Sequence, residues 1–241
     1  MASPPEREGP PLPQLVAEAQ EGSKAVLPPM AIVWAFPSSV DAYAAQGRGV
    51  EVPQACCPTC TAVMSPWSGY WRFVREAGRC HHVFVARGRC ATCRCTHALL
   101  PAFLVRNRLD AAEAIGAVLD AVADGRSGVR PAAKLSEVPY TTARGWVRSF
   151  ARNAGRLAVG FAALCVELGG DVAAGVGLDR GAREALAAID AAWRVARGLP
   201  GWLALGRWRF CSAVCGGSLI AANTNSPYLV VGRRRFMPPV P

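Results

Sequence analysis

The chain has 241 residues, enough for one large domain or two to three small ones, and about half of them (51%) are apolar, so a buried core is affordable. Its formal net charge of +10 rests almost wholly on arginine, the only lysines being Lys24 and Lys134, and it favours an acidic partner, of which nucleic acid is the commonest. No run reaches the roughly 20 apolar residues of a spanning helix; "LAVGFAALCV" at 157–166 falls short and leads into Glu167, so no membrane role is expected.

The first segment, "MASPPEREGPPLPQLVAEAQEGSK", is Pro-rich, acidic and polar, with no basic-then-apolar leader pattern. Such a composition cannot bury enough apolar surface to offset ordering, and residues 1–28 are expected to be a disordered tail. The expected location is the cytoplasm. Ten cysteines there point to metal rather than disulfides.

Residues 29–105 carry the strongest signal. Cys57-Pro-Thr-Cys60 and Cys90-Ala-Thr-Cys93 are two C-x2-C knuckles separated by 29 residues. Structural zinc takes four ligands tetrahedrally and prefers thiolates; each knuckle can aim two sulfurs at one point, so two facing knuckles complete the cage. Between them, "GYWRFVREAG" and "HHVFVARGRC" are aromatic and β-branched runs joined through Glu76-Ala77-Gly78, a β-hairpin pattern. Knuckle, hairpin and knuckle read as a zinc ribbon with Cys57, Cys60, Cys90 and Cys93 as ligands to a structural zinc. Cys56 can substitute for Cys57 and Cys95 for Cys93 on spacing alone. His81, His82 and His97 read as strand or surface residues, Cys211 and Cys215 as buried thiols. A thioredoxin-like dithiol would need a βαβ context that the pattern lacks.

Residues 106–170 change to a period of 3.6. In "LDAAEAIGAVLDAVADG", Ile115, Val118, Leu119 and Val122 form one apolar helix face, Asp110 with Glu113 resembles a capping box, and Gly125 is a stop. In "RPAAKLSEVPYTTARGWVRSFARNAGR" a short helix with Pro131 in its first turn ends near Ser136. Thr141 is the expected cap of a second helix that buries Ala143, Trp146, Val147 and Phe150. Arg144, Arg148, Arg152 and Arg156 recur every four residues as a slowly spiralling basic stripe. A helix-turn-helix inserts the start of its second helix in the major groove, which makes Tyr140, Thr141, Thr142, Arg144, Arg148, Arg152 and Arg156 the candidate DNA contacts.

Residues 171–241 are expected to be a helical carboxyl-terminal region: a helix at about 180–197 with Leu186, Ile189, Trp193 and Ala196 on one face, then Trp202, Trp208 and Phe210 packing on the helices. Arg233, Arg234 and Arg235 are further candidates for phosphate contact. The expected fold class is mainly α with a small β zinc ribbon, the ribbon first, helix-turn-helix second and carboxyl-terminal helices last.

At "CPTC", "GYWRFVR", "RCATCRCTHALLPAFL" and "TTARGWVRSFARNA" the chain resembles the bacterial family called domain of unknown function 6431, common in high-GC Gram-positive bacteria, over roughly residues 29–165. Members read "RCxxCGxTHALLP", which matches Cys90 and Cys93 and leaves Cys95 near where glycine is usual. They resemble the zinc-ribbon and helix-turn-helix front ends of insertion-sequence transposases. Ser136 and Glu137 stand where Leu-Gly is typical, and Ala143 where Val is. The resemblance implies recognition of a site in double-stranded DNA, as a regulator or for a mobile element, with a transposase or other recombination protein as partner. Three carboxylates on a strand-rich core, which a transposase needs to hold two metal ions, are absent from the pattern after Leu168, and no nucleophile, base or phosphate loop stands out. The expectation is a DNA-binding protein, not an enzyme; the alternative is a zinc-ribbon adaptor for another protein.

Overall fold

A computed structural model describes residues 31–171, 181–200, 202–220 and 236–237. The expected tail at 1–28 and Arg233–Arg235 lie outside the described residues. The chain runs β1 (Ala31–Trp34), α1 (Val40–Gln46), β2 (Met64–Glu76), β3 (Arg79–Cys90), β4 (Thr96–Pro101), α2 (Ala112–Ala123), α3 (Val129–Leu135), α4 (Tyr140–Glu167), α5 (Ala182–Ala196), α6 (Arg207–Val214) and β5 (Phe236–Met237).

The expected mainly α architecture with a small separate ribbon is wrong. The strands join one mixed sheet in the order β2-β3-β4-β1-β5. The hairpin β2–β3 and the pair β3–β4 are antiparallel, whereas β1 is parallel to both β4 and β5. The ribbon hairpin is thus one edge of a larger sheet, and β1, which precedes the first knuckle in sequence, lies inside it. The four residues of β1, Ala-Ile-Val-Trp, are all buried, as expected of a strand covered on both faces, and show no alternation by which to recognise it.

The hairpin turn falls where the sequence placed it. Ala77 and Gly78 have φ of 48° and 71°, and Glu76 pairs with Arg79 around them. Two successive left-handed residues match the right-handed twist of the flanking strands in a two-residue loop. Pro66 lies on β2, the outer edge of the sheet, where the register shifts and Trp67 has no partner. An edge bulge tolerates a proline that an interior strand does not.

The helices pack on the same core. Buried apolar residues form one cluster from Ala31 to Ile220. Trp34, Phe36, Tyr43 and Phe103 meet edge-on or tilted with centroids 5.0–6.3 Å apart, and the Tyr43 hydroxyl donates to the Phe84 carbonyl at 2.8 Å. Gly116 on α2 admits the Trp208 indole of α6 so closely that a Cβ there would sit 2.1 Å from it. Two ion pairs also join layers: Asp110 holds Arg75 of β2, and Glu113 accepts from Arg209 of α6 at 2.7 Å. The expected capping box does not form, because both carboxylates are taken by these arginines; Ala111 stands at the cap with no side-chain hydrogen bond. Thr141 likewise caps nothing, since α4 already begins at Tyr140 behind Pro139.

The expected second helix is much longer than a motif helix. α4 runs 28 residues, absorbing the apolar 157–166 segment, and its later part supplies Leu157, Phe161 and Leu164 to the core. Among the described residues no helix is long and apolar enough to cross a membrane.

Candidate metal centre and basic helix face

The β2–β3–β4 segment brings the two knuckles together. Cys57 and Cys60 lie in the loop before β2. Cys90 ends β3 opposite Met64, the first residue of β2, and Cys93 lies in the turn to β4. Each knuckle is closed in the same way. Thr61 after the first and Arg94 after the second take φ of 61° and 59°. The Cys57 amide donates to the Ala62 carbonyl at 2.8 Å and the Cys90 amide to the Cys95 carbonyl at 2.9 Å, five residues on in each case. This left-handed residue turns the chain back so that both sulfurs point inward.

The four Sγ atoms of Cys57, Cys60, Cys90 and Cys93 lie within 4.8 Å of one another. Cys57 and Cys93 are 3.5 Å apart, Cys60 and Cys90 3.3 Å. Four thiolates around a tetrahedral zinc at about 2.3 Å have sulfurs about 3.8 Å apart, so the observed spread brackets the size of such a cage. A disulfide requires about 2.05 Å, and all four thiols are free. The donor set therefore fits a soft, tetrahedral divalent ion. Cys57 and Cys90 are buried, Cys60 and Cys93 partly so.

The surroundings act in opposite directions on the two thiols of the second knuckle. The Cys93 backbone amide is the main influence holding the Cys90 thiol down to about 6, with the neighbouring thiols and the Thr92 amide assisting against burial. Cys93 is pushed up: the Cys95 amide pulls it down, but burial and the hydrogen bonds to Cys57 and Cys90 outweigh that. Four negative sulfurs at this spacing need a cation between them.

The alternative ligands fall away. The Cys56 side chain is exposed, and Cys95 is half-buried outside the quartet. His97 is a strand residue as expected, but it is buried and its Nε2 lies 3.7 Å from Cys57 Sγ, so it flanks the centre. The sequence signal for it was its position two residues after Cys95 on an alternating strand. Cys211 and Cys215 are buried in the helical layer, where burial pushes both thiols up.

The second candidate surface is on α4. Ala143, Trp146 and Phe150 are buried and Val147 is half-buried, as expected of the inner face. Tyr140, Thr141, Arg144, Arg148, Arg152 and Arg156 are exposed, and Thr142 is half-buried. Tyr140 lies under the Arg130 guanidinium at 5.1 Å, so part of its ring is occupied. Among the described residues Arg144, Arg148 and Arg152 have no carboxylate partner. Steps of four residues advance about 6 Å and drift about 40°. The stripe thus turns by about 120° from Arg144 to Arg156.

Residues 57–134 match the family model described as a domain of unknown function (DUF6431). The match holds the whole cysteine quartet and ends before α4. No curated protein and no solved structure matches the chain.

Proposed function

We propose that this chain is a cytoplasmic DNA-binding protein whose cysteine quartet holds a structural zinc and whose α4 arginine face contacts double-stranded DNA. The observation that carries the reading is the stripe Arg144, Arg148, Arg152 and Arg156: four exposed cations on one helix, the first three without a carboxylate partner among the described residues. Exposed Arg79 and Arg126, by contrast, meet Asp41 and Asp124. The twist of the stripe suits a helix whose beginning enters the major groove. Arg144 then lies nearest the base edges, with Tyr140, Thr141 and Thr142 beside it, Arg148 reaches a base or a phosphate, and Arg152 and Arg156 meet phosphates.

Zinc bound by four thiolates supplies folding energy to the loops it ties, on the order of 10–16 kcal/mol in small zinc-binding peptides. With all four donors from the protein, the centre has no open position of the kind catalytic zinc keeps, which supports a structural, non-enzymatic role. The partner proposed from the family resemblance is a transposase or other recombination protein, with the chain serving a mobile element or acting as a regulator.

An adaptor role is the second reading, and the exposed aromatic residues of β2 favour it: Trp67 and Phe73 are each 56% exposed. Selection from a random duplex pool separates the two. The DNA reading expects enrichment of one sequence, with Arg144→Ala relaxing preference at one position by the roughly 1–3 kcal/mol of a guanine contact. A pool that emerges unenriched, with no duplex retained even at low salt, leaves the adaptor role.

A further inference from the structure

The face of the sheet formed by Tyr70, Arg72, Arg87 and Ala98 is distinct from both the cysteine quartet and the α4 stripe. The register explains why these side chains share one side. Tyr70 and Arg72 pair with Val85 and Val83, Arg87 lies two residues on from Val85 along β3, and Arg87 pairs with Ala98. Directly paired residues of antiparallel strands point the same way. With Arg106 and Asn107 from the loop after β4, and Thr96, they surround an open cavity of about 370 Å³ floored by Ala98 and Leu100.

Three guanidinium groups line this cavity, and among the described residues no Asp or Glu does. Arg72 donates to the Arg108 carbonyl and Arg87 to Thr96 Oγ1 at 2.8 Å; neither meets a carboxylate among the described residues. The nearby carboxylate Asp110 is held by Arg75 instead. Burial pulls the Arg72 guanidinium below its ordinary value. Like charges gathered on a partly desolvated surface, with Arg72 and Arg87 held by neutral acceptors, are an arrangement that an anion relieves. Guanidinium forks match phosphate oxygens in pairs. The cavity is larger than a bare oxyanion needs and falls in the size range of small-molecule sites. Tyr70, 41% exposed at its rim, offers a ring face for a base.

We propose that this cavity binds the phosphate group of a nucleotide, either a free mononucleotide or the 5′-phosphate end of a nucleic-acid strand. Arg72, Arg87 and Arg106 hold the phosphate, Thr96 and Asn107 add neutral hydrogen bonds, and Tyr70 packs on the base. The site is independent of the α4 reading, and its failure is separable from the failure of that reading.

The test is calorimetric titration of the zinc-loaded full chain with a nucleoside, its 5′-monophosphate and inorganic phosphate, followed by anisotropy with single strands bearing a 5′-phosphate or a 5′-hydroxyl. The monophosphate should bind at least tenfold more tightly than the nucleoside. Arg87→Gln should weaken it tenfold or more, and Arg87→Lys, which keeps the charge but loses the fork, should weaken it less. Arg126→Ala, between α2 and α3, should leave it unchanged. Metal content and melting temperature establish that each variant is folded. A phosphorylated strand binding more tightly than both its hydroxyl counterpart and the monophosphate identifies a strand end as the ligand; equal binding of monophosphate and phosphorylated strand identifies the free nucleotide. Equal binding of nucleoside and monophosphate, no binding of any probe at millimolar concentration, or a folded Arg87→Gln that binds like the parent would overturn the proposal.

Discussion

If the α4 stripe lies on duplex DNA, its arginines must set how steeply binding falls with salt. Each phosphate neutralised contributes about −0.9 to the slope of log affinity against log salt. Three such contacts, with Arg148 on a phosphate beside Arg152 and Arg156, give about −2.7, so raising salt from about 50 to 200 mM weakens binding about 40-fold. The double variant Arg148→Ala/Arg152→Ala removes two exposed cations that have no carboxylate partner among the described residues. Its slope should fall by about 1.8, leaving a loss of about 3.5-fold over the same range. Other cations on the molecule would steepen both slopes alike, so the difference is the quantity that matters. Arg-to-Ala changes on an exposed helix face are neutral or favourable to helicity, and the melting temperature should hold. The assay is fluorescence anisotropy of a labelled duplex across a salt series. An unchanged slope in the folded double variant would refute the placement of DNA on this face.

Three further outcomes follow from the packing and the thiols. Arg94→Gly relieves a left-handed residue at the second knuckle (φ 59°) and should raise unfolding free energy by about 1 kcal/mol, measured by urea denaturation; a loss of stability would show that the Arg94 side chain matters more than its backbone. Gly116→Ala places a methyl against the Trp208 indole and should destabilise by about 1–3 kcal/mol in the same assay, whereas a neutral effect would mean that α2 and α6 pack more loosely than described. At pH 8 the exposed Cys56 and Cys80 should alkylate rapidly in the native protein. Cys211 and Cys215 should resist, because burial raises both thiols and keeps them protonated; mass spectrometry of labelled peptides decides, and fast labelling of Cys215 would contradict the packing around α6.

The parts legible in the sequence were those governed by local chemistry. C-x2-C spacing and the Glu76-Ala77-Gly78 turn depend on a few adjacent residues, and the structure assembles the cysteines and the hairpin as that spacing implies. The periodic faces of α2, α4 and α5 were readable for the same reason. What escaped was long-range pairing. β1 is four apolar residues without alternation, and β4, 67 residues further on in register, pairs with it along its whole length. Missing that pair turned one mixed sheet into a small ribbon beside a helical protein. Capping was misread where tertiary partners intervened: Asp110 and Glu113 have the spacing of a local box, but arginines from β2 and α6 claim them. The arginine cavity was invisible because Arg72, Arg87 and Arg106 are scattered along the chain and share a face only through sheet register.

The most direct test of the account is the metal content of the full chain, purified under reducing conditions without added metal and analysed by elemental mass spectrometry. The sulfur quartet predicts one zinc per chain, kept in Cys211→Ser and lost in Cys90→Ser, whose loops at 57–60 and 90–93 should then exchange amide hydrogen freely. A folded, metal-free parent, or a Cys90→Ser variant that retains its full zinc, would contradict it.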